Sequence, residues 1–532
     1  MKEKIKNCIE TGGAVLGIEL GSTRIKAVLI DSEKNVIAQG NHQWENKFED
    51  GLWTYSEQEI WHGLQSAYSN LREDVKSNYG IELRKLAGAG VSAMMHGYMA
   101  FDKAGNLLVP FRTWRNTNTG KAAAELSKLF NFNIPLRWSI SHLYEAILEE
   151  EPHIKDVDFQ TTLAGYVHWK LTGEKVLGVG DASGMMPVDP STGYYDSRMI
   201  TAFESLLKEK GLDLKVKEIF PKVLDAGENA GYITENGAVL LDVSGNLEPG
   251  VPMSPPEGDA GTGMVATNAV RPRTGNVSAG TSSFSMIVLE RELSRPYEEI
   301  DIVTTPDGKP VAMVHCNNCT SDINAWVGLL NETLKLFGKE VTAETLYNTL
   351  FNEALKGDES AGGLMAYNFL SGEPIAGLMR GTPLFMHSVG DKFNLANFMR
   401  CHLYSALACL KIGNDILFKK EKVEVDRLTG HGGFFKTPVV GQRILAAALD
   451  SPITVMETAG EGGAWGMALL ADYMVNKLPQ QSLPDYLEKK VFNRDSGLTV
   501  SPEESDVKGF EKFIALYKEC LPVEASAVEH KN

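Results

Sequence analysis

The chain has 532 residues, 43% of them apolar and 23% charged, which exceeds the size at which one hydrophobic core keeps growing, so two or more domains are expected. Its formal net charge of −17 argues against unaided binding to nucleic acid or to an anionic membrane, since both need clustered Lys and Arg. The opening MKEKIKNCIETG is charged and lacks the apolar stretch of a signal peptide, and no uncharged run reaches the length of a membrane span, which makes a cytoplasmic location the expectation.

The first element is a strand over 14–20. Period-two alternation puts Leu16, Ile18 and Leu20 on one face and Val15, Gly17 and Glu19 on the other. Gly21-Ser22-Thr23 reads as a tight turn into a second strand over 24–31, followed by a third over 35–40. Glu19 thus stands at the mouth of a hairpin, either as a solvated edge carboxylate or as a functional one. Ser56-Glu57-Gln58-Glu59 has the form of a capping box, after which Ile60, Leu64, Ala67, Leu71 and Val75 recur at helical spacing up to Gly80. A strand over Leu86–Ala93 follows, ending at Met94-Met95-His96-Gly97, and a polar turn at Lys103–Asn106 leads towards Trp114.

Further along, Asp259 lies within PPEGDAGTGMVATN, just before a helix start. Helix capping would account for an aspartate there. The flanking Gly258, Gly261 and Gly263, however, give a close backbone approach that a simple cap does not need. From Gly275 the stretch GNVSAGTSSFSMIVLE then repeats the opening plan: a short strand, a Gly280-Thr281-Ser282-Ser283 turn and a second alternating strand. One such hairpin in each half predicts two similar domains facing each other, with a boundary near 260–274. His315-Cys316-Asn317-Asn318-Cys319 contains a CxxC pair without a second ligand pair, so two reduced thiols in a loop are expected; six cysteines in so long a chain make no disulfide framework. An amphipathic stretch at about 394–419 predicts a core helix of the second domain, and the tail after Pro522 is expected to fray.

A glycine followed by hydroxyl residues in a tight turn lets backbone N–H groups and hydroxyls converge on phosphate oxygens, and two such turns suffice for one polyphosphate. Phosphoryl transfer to an alcohol also needs a carboxylate within reach of the attacking hydroxyl, a role that Asp259 fits.

At this point the sequence resembles the FGGY carbohydrate kinases, within the superfold shared by actin, sugar kinases and heat-shock chaperones. The likeness runs from about residue 14 to 475 through five ordered segments: GIELGSTRIKAVLID, VSAMMHGYMAFDKAGNLLVPFRTW, LTGEKVLGVGDASGMMPVD, GDAGTG with GNVSAGTSS, and LTGHGGFFKTPVVGQRILAAALDSPITVMETAGEGGAWGMALLA. It implies an α/β, two-domain actin-like ATPase (ribonuclease H-like) fold, with domains over 14–262 and 263–520 and a ligand cleft between them. The implied activity is ATP-dependent phosphorylation of a terminal hydroxyl of a ketopentose, xylulose-like or ribulose-like.

Carried over by position, Asp259 is similar to the family's general base, and Glu19 matches the aspartate that helps hold Mg²⁺, with Asp259 as the second metal-side carboxylate. Gly21, Ser22, Thr23 and Lys26 would meet phosphate from one side, and Gly280, Thr281 and Ser282 from the other. Gly432 and Gly433 would lie against the nucleotide, with Gly462, Gly463 and Ala464 near adenine. Met95, His96 and Trp114 match the sugar-contacting residues. Asp181-Ala182-Ser183-Gly184 looks like xylulose kinases, whereas Thr437–Gln442 looks like ribulose kinases.

Three departures stand out: Glu19 in place of Asp, Arg115, Asn116 and Asn118 after the tryptophan, and GHGGFF in place of GGGA. The partner implied is a small sugar, with no nucleic acid or membrane; the subunit count is left open, a homodimer being the one arrangement named. A rival from another class is a non-catalytic sensor of nucleotide and sugar on the same superfold, against which the intact Asp259 argues. A chaperone-like ATPase would need a peptide-binding extension, and no separate domain is expected after residue 475.

Overall fold

The computed structural model describes residues 2–460, 462–493 and 497–531. The chain forms two compact units that interleave in sequence. The first comprises Met1–Val270, Asp301–Val311 and Glu461–Arg494, the second Arg271–Ile300, Ala312–Gly460 and Asp495–Asn532. This division differs from a single cut near residue 262, because the late helix Gly463–Asn476 packs into the first unit.

The first unit is built on a five-stranded sheet of β1 (Val15–Leu20), β2 (Arg24–Ile30), β3 (Val36–Gln43), β4 (Gly88–Ala93) and β5 (Glu257–Gly258), in the order β5-β4-β1-β2-β3. β1 and β2 form the expected antiparallel hairpin, β3 continues it, and β4 and β5 add in parallel. Both faces of β1 are covered. Leu16, Ile18 and Leu20 join Ile60, Leu64, Ala67, Leu71 and Val75 of the helix Glu57–Tyr79 in one apolar cluster. That helix starts with the predicted capping box, Ser56 and Glu59 exchanging bonds with each other's backbone N–H, and stops at Gly80 in the left-handed conformation. On the other face lies the helix Gly463–Asn476, so close that a Cβ on Gly17 would sit 2.1 Å from the Ala464 carbonyl. The charged opening segment, for which the sequence suggests no structure, forms a helix over Lys2–Glu10.

The second unit carries β6 (Thr274–Ala279), β7 (Ser283–Val288), β8 (Pro310–Cys316), β9 (Arg427–His431), β10 (Ile453–Val455) and β11 (Leu498–Val500), in the order β8-β7-β6-β9-β10-β11. β6 and β7 are antiparallel while β9 and β10 add in parallel, so β6 repeats β1, β7 repeats β2 and β9 repeats β4. The predicted amphipathic helix spans Leu395–Asp415 and ends in a wider turn over Ile416–Lys420. The tail does not fray at Pro522: a helix runs through it from Glu504 to Lys531, because the Glu524 carboxylate accepts the Thr382 N–H at 2.9 Å and Val528 is buried.

Candidate active site

Asp259 is the first residue of the helix Asp259–Ala266, where its charge meets the positive end of the backbone dipoles. Its side chain does not cap the helix in the usual way. It reaches across to the turn that follows β4, where Oδ1 accepts the Met95 N–H at 3.3 Å. Burial pushes its carboxyl up to about 6, opposed by hydrogen bonds from the Met95, Ala260 and Asp259 N–H groups. At neutral pH the group is therefore mostly ionised yet basic enough to take a proton.

Glu19, on β1, is the neighbouring charge. Burial first, then the negative charge of Asp259, pushes it up to about 7, while the Ala464 N–H bonds it and Lys26 and Arg24 favour its ionised form. Lys26 stands directly opposite Glu19 across the β1–β2 ladder. The Ala464 N–H belongs to the first turn of the helix Gly463–Asn476, so Glu19 caps that helix. Gly463 is bare for the same reason: a Cβ there would lie 2.8 Å from Glu19 Oε1. Its missing side chain serves the Glu19 carboxylate within the first unit.

Met95 and His96 close the other side of Asp259. His96 holds a left-handed backbone (φ 68°) ahead of Gly97, is buried, and donates from Nδ1 to the Gly184 carbonyl at 3.0 Å while its ring stacks on Trp138. Met95 lies over Gly258, where a Cβ would come within 2.2 Å of its Cγ.

Sequence reasoning gave no site role to two buried acids beside this group, although it noted Asp181 in a run that looks like xylulose kinases. Glu257, immediately before the Gly258-Asp259 pair, accepts the Gly180 N–H at 3.3 Å and the Asp181 N–H at 3.0 Å. Asp181 accepts the Thr162 hydroxyl at 2.6 Å. Burial is the largest cause raising both, Glu257 to about 8 and Asp181 to about 7, and the ionised Asp181 raises Glu257 further. The one local signal for Glu257 was its place in the PPEGDAG run.

The Gly21-Ser22-Thr23 turn is closed by the Gly21 N–H on the Arg24 carbonyl and gripped from outside by its own carbonyls. Trp44 Nε1 donates to the Gly21 carbonyl at 2.7 Å, the Tyr55 hydroxyl to that of Ser22 at 2.6 Å, and the Trp44 N–H to that of Thr23 at 3.2 Å. In a trans peptide the N–H points opposite its carbonyl, so these bonds aim the Ser22 and Thr23 N–H groups to the other side of the turn. Trp114 Nε1 donates to Ser22 Oγ at 3.1 Å, which ties the tryptophan expected beside the sugar to the turn expected beside the phosphate. Of the atypical residues after it, Asn116 is buried and bonds both backbone groups of Trp53, Arg115 stacks over the Trp53 ring, and Asn118 is exposed.

In the second unit the Gly280-Thr281-Ser282 turn is gripped in the same sense by different groups. The Thr320 N–H and hydroxyl both donate to the Gly280 carbonyl, at 2.9 and 2.7 Å, and the Cys319 N–H donates to that of Thr281 at 2.9 Å. Thr320 opens the helix Ser321–Leu336. Gly432 follows β9 with φ 102°, and a Cβ on it would meet the Ala279 carbonyl at 2.5 Å, so only glycine fits beside the end of β6; around Gly433 the space is open. The residues replacing the smaller GGGA pattern fill the interior, since Phe434 and Phe435 are both buried. The CxxC thiols are not in an open loop: Cys316 ends β8, both are buried, and burial pushes Cys319 up to about 12 and Cys316 well above its ordinary value.

Mg²⁺ is commonly held by one or two carboxylates together with substrate phosphates and waters. Glu19 and Asp259, two mutually repelling carboxylates in a partly dry site, fit that requirement. Among the described residues no group of three or more His, Cys, Asp and Glu forms a closed metal cage.

Two α/β units on one strand plan, each with a glycine-hydroxyl hairpin, place the chain among the two-domain kinases of the actin-like class. The description "FGGY family of carbohydrate kinases, N-terminal domain" matches residues 14–266, and the corresponding C-terminal domain matches residues 275–475. The chain belongs to the FGGY family of carbohydrate kinases and is a sugar kinase. It is 24% identical to a xylulose kinase of Haemophilus influenzae over 464 residues, 84% of this chain and 89% of that one. A ligand-bound xylulose kinase of Lactobacillus acidophilus has the same fold with a TM-score of 0.79 at 16% identity, covering 98% and 100% of the two chains. A gluconate kinase from the same organism fits with a TM-score of 0.78 at 16% identity, covering 96% and 99%.

Proposed function

We propose that the chain phosphorylates a terminal hydroxyl of a ketopentose of the xylulose or ribulose type, with ATP as donor. The observation that carries this is the link of Asp259 to the Met95–His96 turn: a half-buried, ionisable carboxylate bonded to the Met95 N–H, next in sequence to a histidine whose Nδ1–H is committed to a backbone carbonyl. The names of the matched xylulose kinases support the sugar class.

In this proposal Asp259 accepts the hydroxyl proton as the sugar oxygen attacks the γ-phosphorus and the bond to the ADP oxygen breaks. The transition state is largely dissociative, so Asp259 acts chiefly by aligning the hydroxyl and takes its proton late. His96, Met95 and Trp114 bound the sugar. The N–H groups and hydroxyls of the Gly21-Ser22-Thr23 turn, with Lys26, bind donor phosphate, as do Gly280, Thr281 and Ser282. Gly432 and Gly433 leave backbone bare for the nucleoside. Glu19 and Asp259 would hold Mg²⁺, which when bound neutralises charge on the transferred phosphoryl group.

The test is sugar-stimulated ADP release with MgATP across pentuloses, hexuloses, polyols, aldoses and aldonates. The expected result is the largest kcat/KM for a pentulose. Preference for gluconate or glycerol would overturn the sugar class, and sugar-independent release would overturn the proposed transfer.

A further inference from the structure

The groups around Asp259 form a closed circuit. Asp259 Oδ1 takes the Met95 N–H; the adjacent His96 donates to the Gly184 carbonyl; the Gly184 N–H donates to the Asp181 carbonyl; the Asp181 and Gly180 N–H groups donate to Glu257; and Glu257 is joined through Gly258 to Asp259. Three glycines exist to let this circuit close. A Cβ on Gly178 or Gly180 would come within 2.1 or 2.4 Å of the Glu257 carboxyl oxygens, and one on Gly184 within 2.7 Å of His96 Nδ1. The Gly178 N–H also donates to the Pro256 carbonyl at 2.8 Å, so the 178–184 segment is bound to the 256–258 segment at three points.

We infer that Glu257 is a positioning residue: its carboxyl group clamps the 178–184 segment and thereby fixes the spacing between Asp259 and His96. The inference rests on the kinase function proposed above. Its physical basis is the chain of contacts itself: Asp259 is tied to the turn that carries His96 through the Met95 N–H, and His96 is tied through Gly184 to the segment that Glu257 holds. Asp259 sits at the start of one helix, His96 in a strained left-handed turn after β4, and the link on the far side runs through Glu257. A misplacement of about 1 Å between a base and a substrate-orienting group can cost about 10²-fold in rate.

Two variants and two readouts test this. Glu257→Gln keeps one acceptor oxygen and nearly the same shape, and should lower kcat about tenfold; Glu257→Ala should lower it about 10²-fold, with the KM for MgATP within about twofold of the parent in both. In parallel, ¹⁵N-histidine spectra of the intact protein, with His96 assigned through His96→Asn, report on the circuit without any substrate. The Nδ1 resonance should move in Glu257→Ala and move less in Glu257→Gln. If Glu257→Ala does not fold, Glu257→Gln decides. An unchanged kcat, or a kcat loss matched by an equal loss of MgATP affinity, would overturn the inference, as would an unmoved His96 resonance. A parent protein without sugar-stimulated ADP release, but with a His96 resonance that follows Glu257, would instead overturn the proposed kinase function while leaving the clamp intact.

Discussion

The two glycine-hydroxyl hairpins solve one problem with different materials. In the first unit the carbonyls of Gly21 and Ser22 are held by the side chains of Trp44 and Tyr55, whose rings stack on each other. In the second, the carbonyls of Gly280 and Thr281 are held mainly by backbone N–H groups at the start of a helix, those of Thr320 and Cys319. A carbonyl pinned on one side presents the following N–H on the other, so both arrangements aim backbone N–H groups in the sense that the proposed phosphate contacts need. The difference is in tolerance: a side-chain clasp is lost with one substitution, whereas a backbone clasp survives it.

The largest effect expected around these turns is at Gly432, where a substituted residue would hold φ 102° and meet the Ala279 carbonyl just before the second turn. Gly432→Ala should lower the unfolding free energy by about 3 kcal/mol, read by denaturant titration. Nearly as large is the pH effect of Glu19. Its folded value of about 7 lies above the ordinary 4.5, so the stability it contributes is full below about pH 4.5 and lost as pH rises through about 7. Glu19→Gln should therefore gain about 3 kcal/mol over the parent at pH 8 and little at pH 4, read by the same titration.

Gly280 is the sharper contrast with Gly432, because a Cβ on it would meet open space. Gly280→Ala should leave stability within about 0.5 kcal/mol of the parent yet weaken ADP binding about tenfold by calorimetry, if that space receives phosphate. Smallest are the clasps themselves. Tyr55→Phe should cost about 1 kcal/mol, and Thr320→Val less, since the Thr320 N–H keeps its bond to Gly280. Equal losses at the two positions would contradict the distinction between side-chain and backbone clasps.

Local pattern carried much of the fold. The capping box at Ser56, the stop at Gly80 and both hairpins lie within short windows of sequence, and the structure forms them there. What was not legible depends on contacts distant in sequence. Tyr55 carries no sign that its hydroxyl will meet Ser22, and Glu257 becomes a buried clamp only once β5 pairs with β4 and the 178–184 segment packs on it. Gly463 was assigned near adenine by resemblance, and its contact with Glu19 crosses more than four hundred residues. The helix through Pro522 defied a sound local rule because Glu524 and Val528 find tertiary partners beyond it.

The central claim is that Asp259 is the base that receives the sugar proton, and steady-state turnover of Asp259→Asn, set beside calorimetric binding of the sugar to the same variant, tests it most directly. The account predicts a kcat loss of about 10² or more with sugar affinity retained. It also predicts that the parent's kcat/KM falls as pH drops through about 6, where Asp259 takes up its proton, and that the variant shows no such limb. Turnover near that of the parent would contradict it.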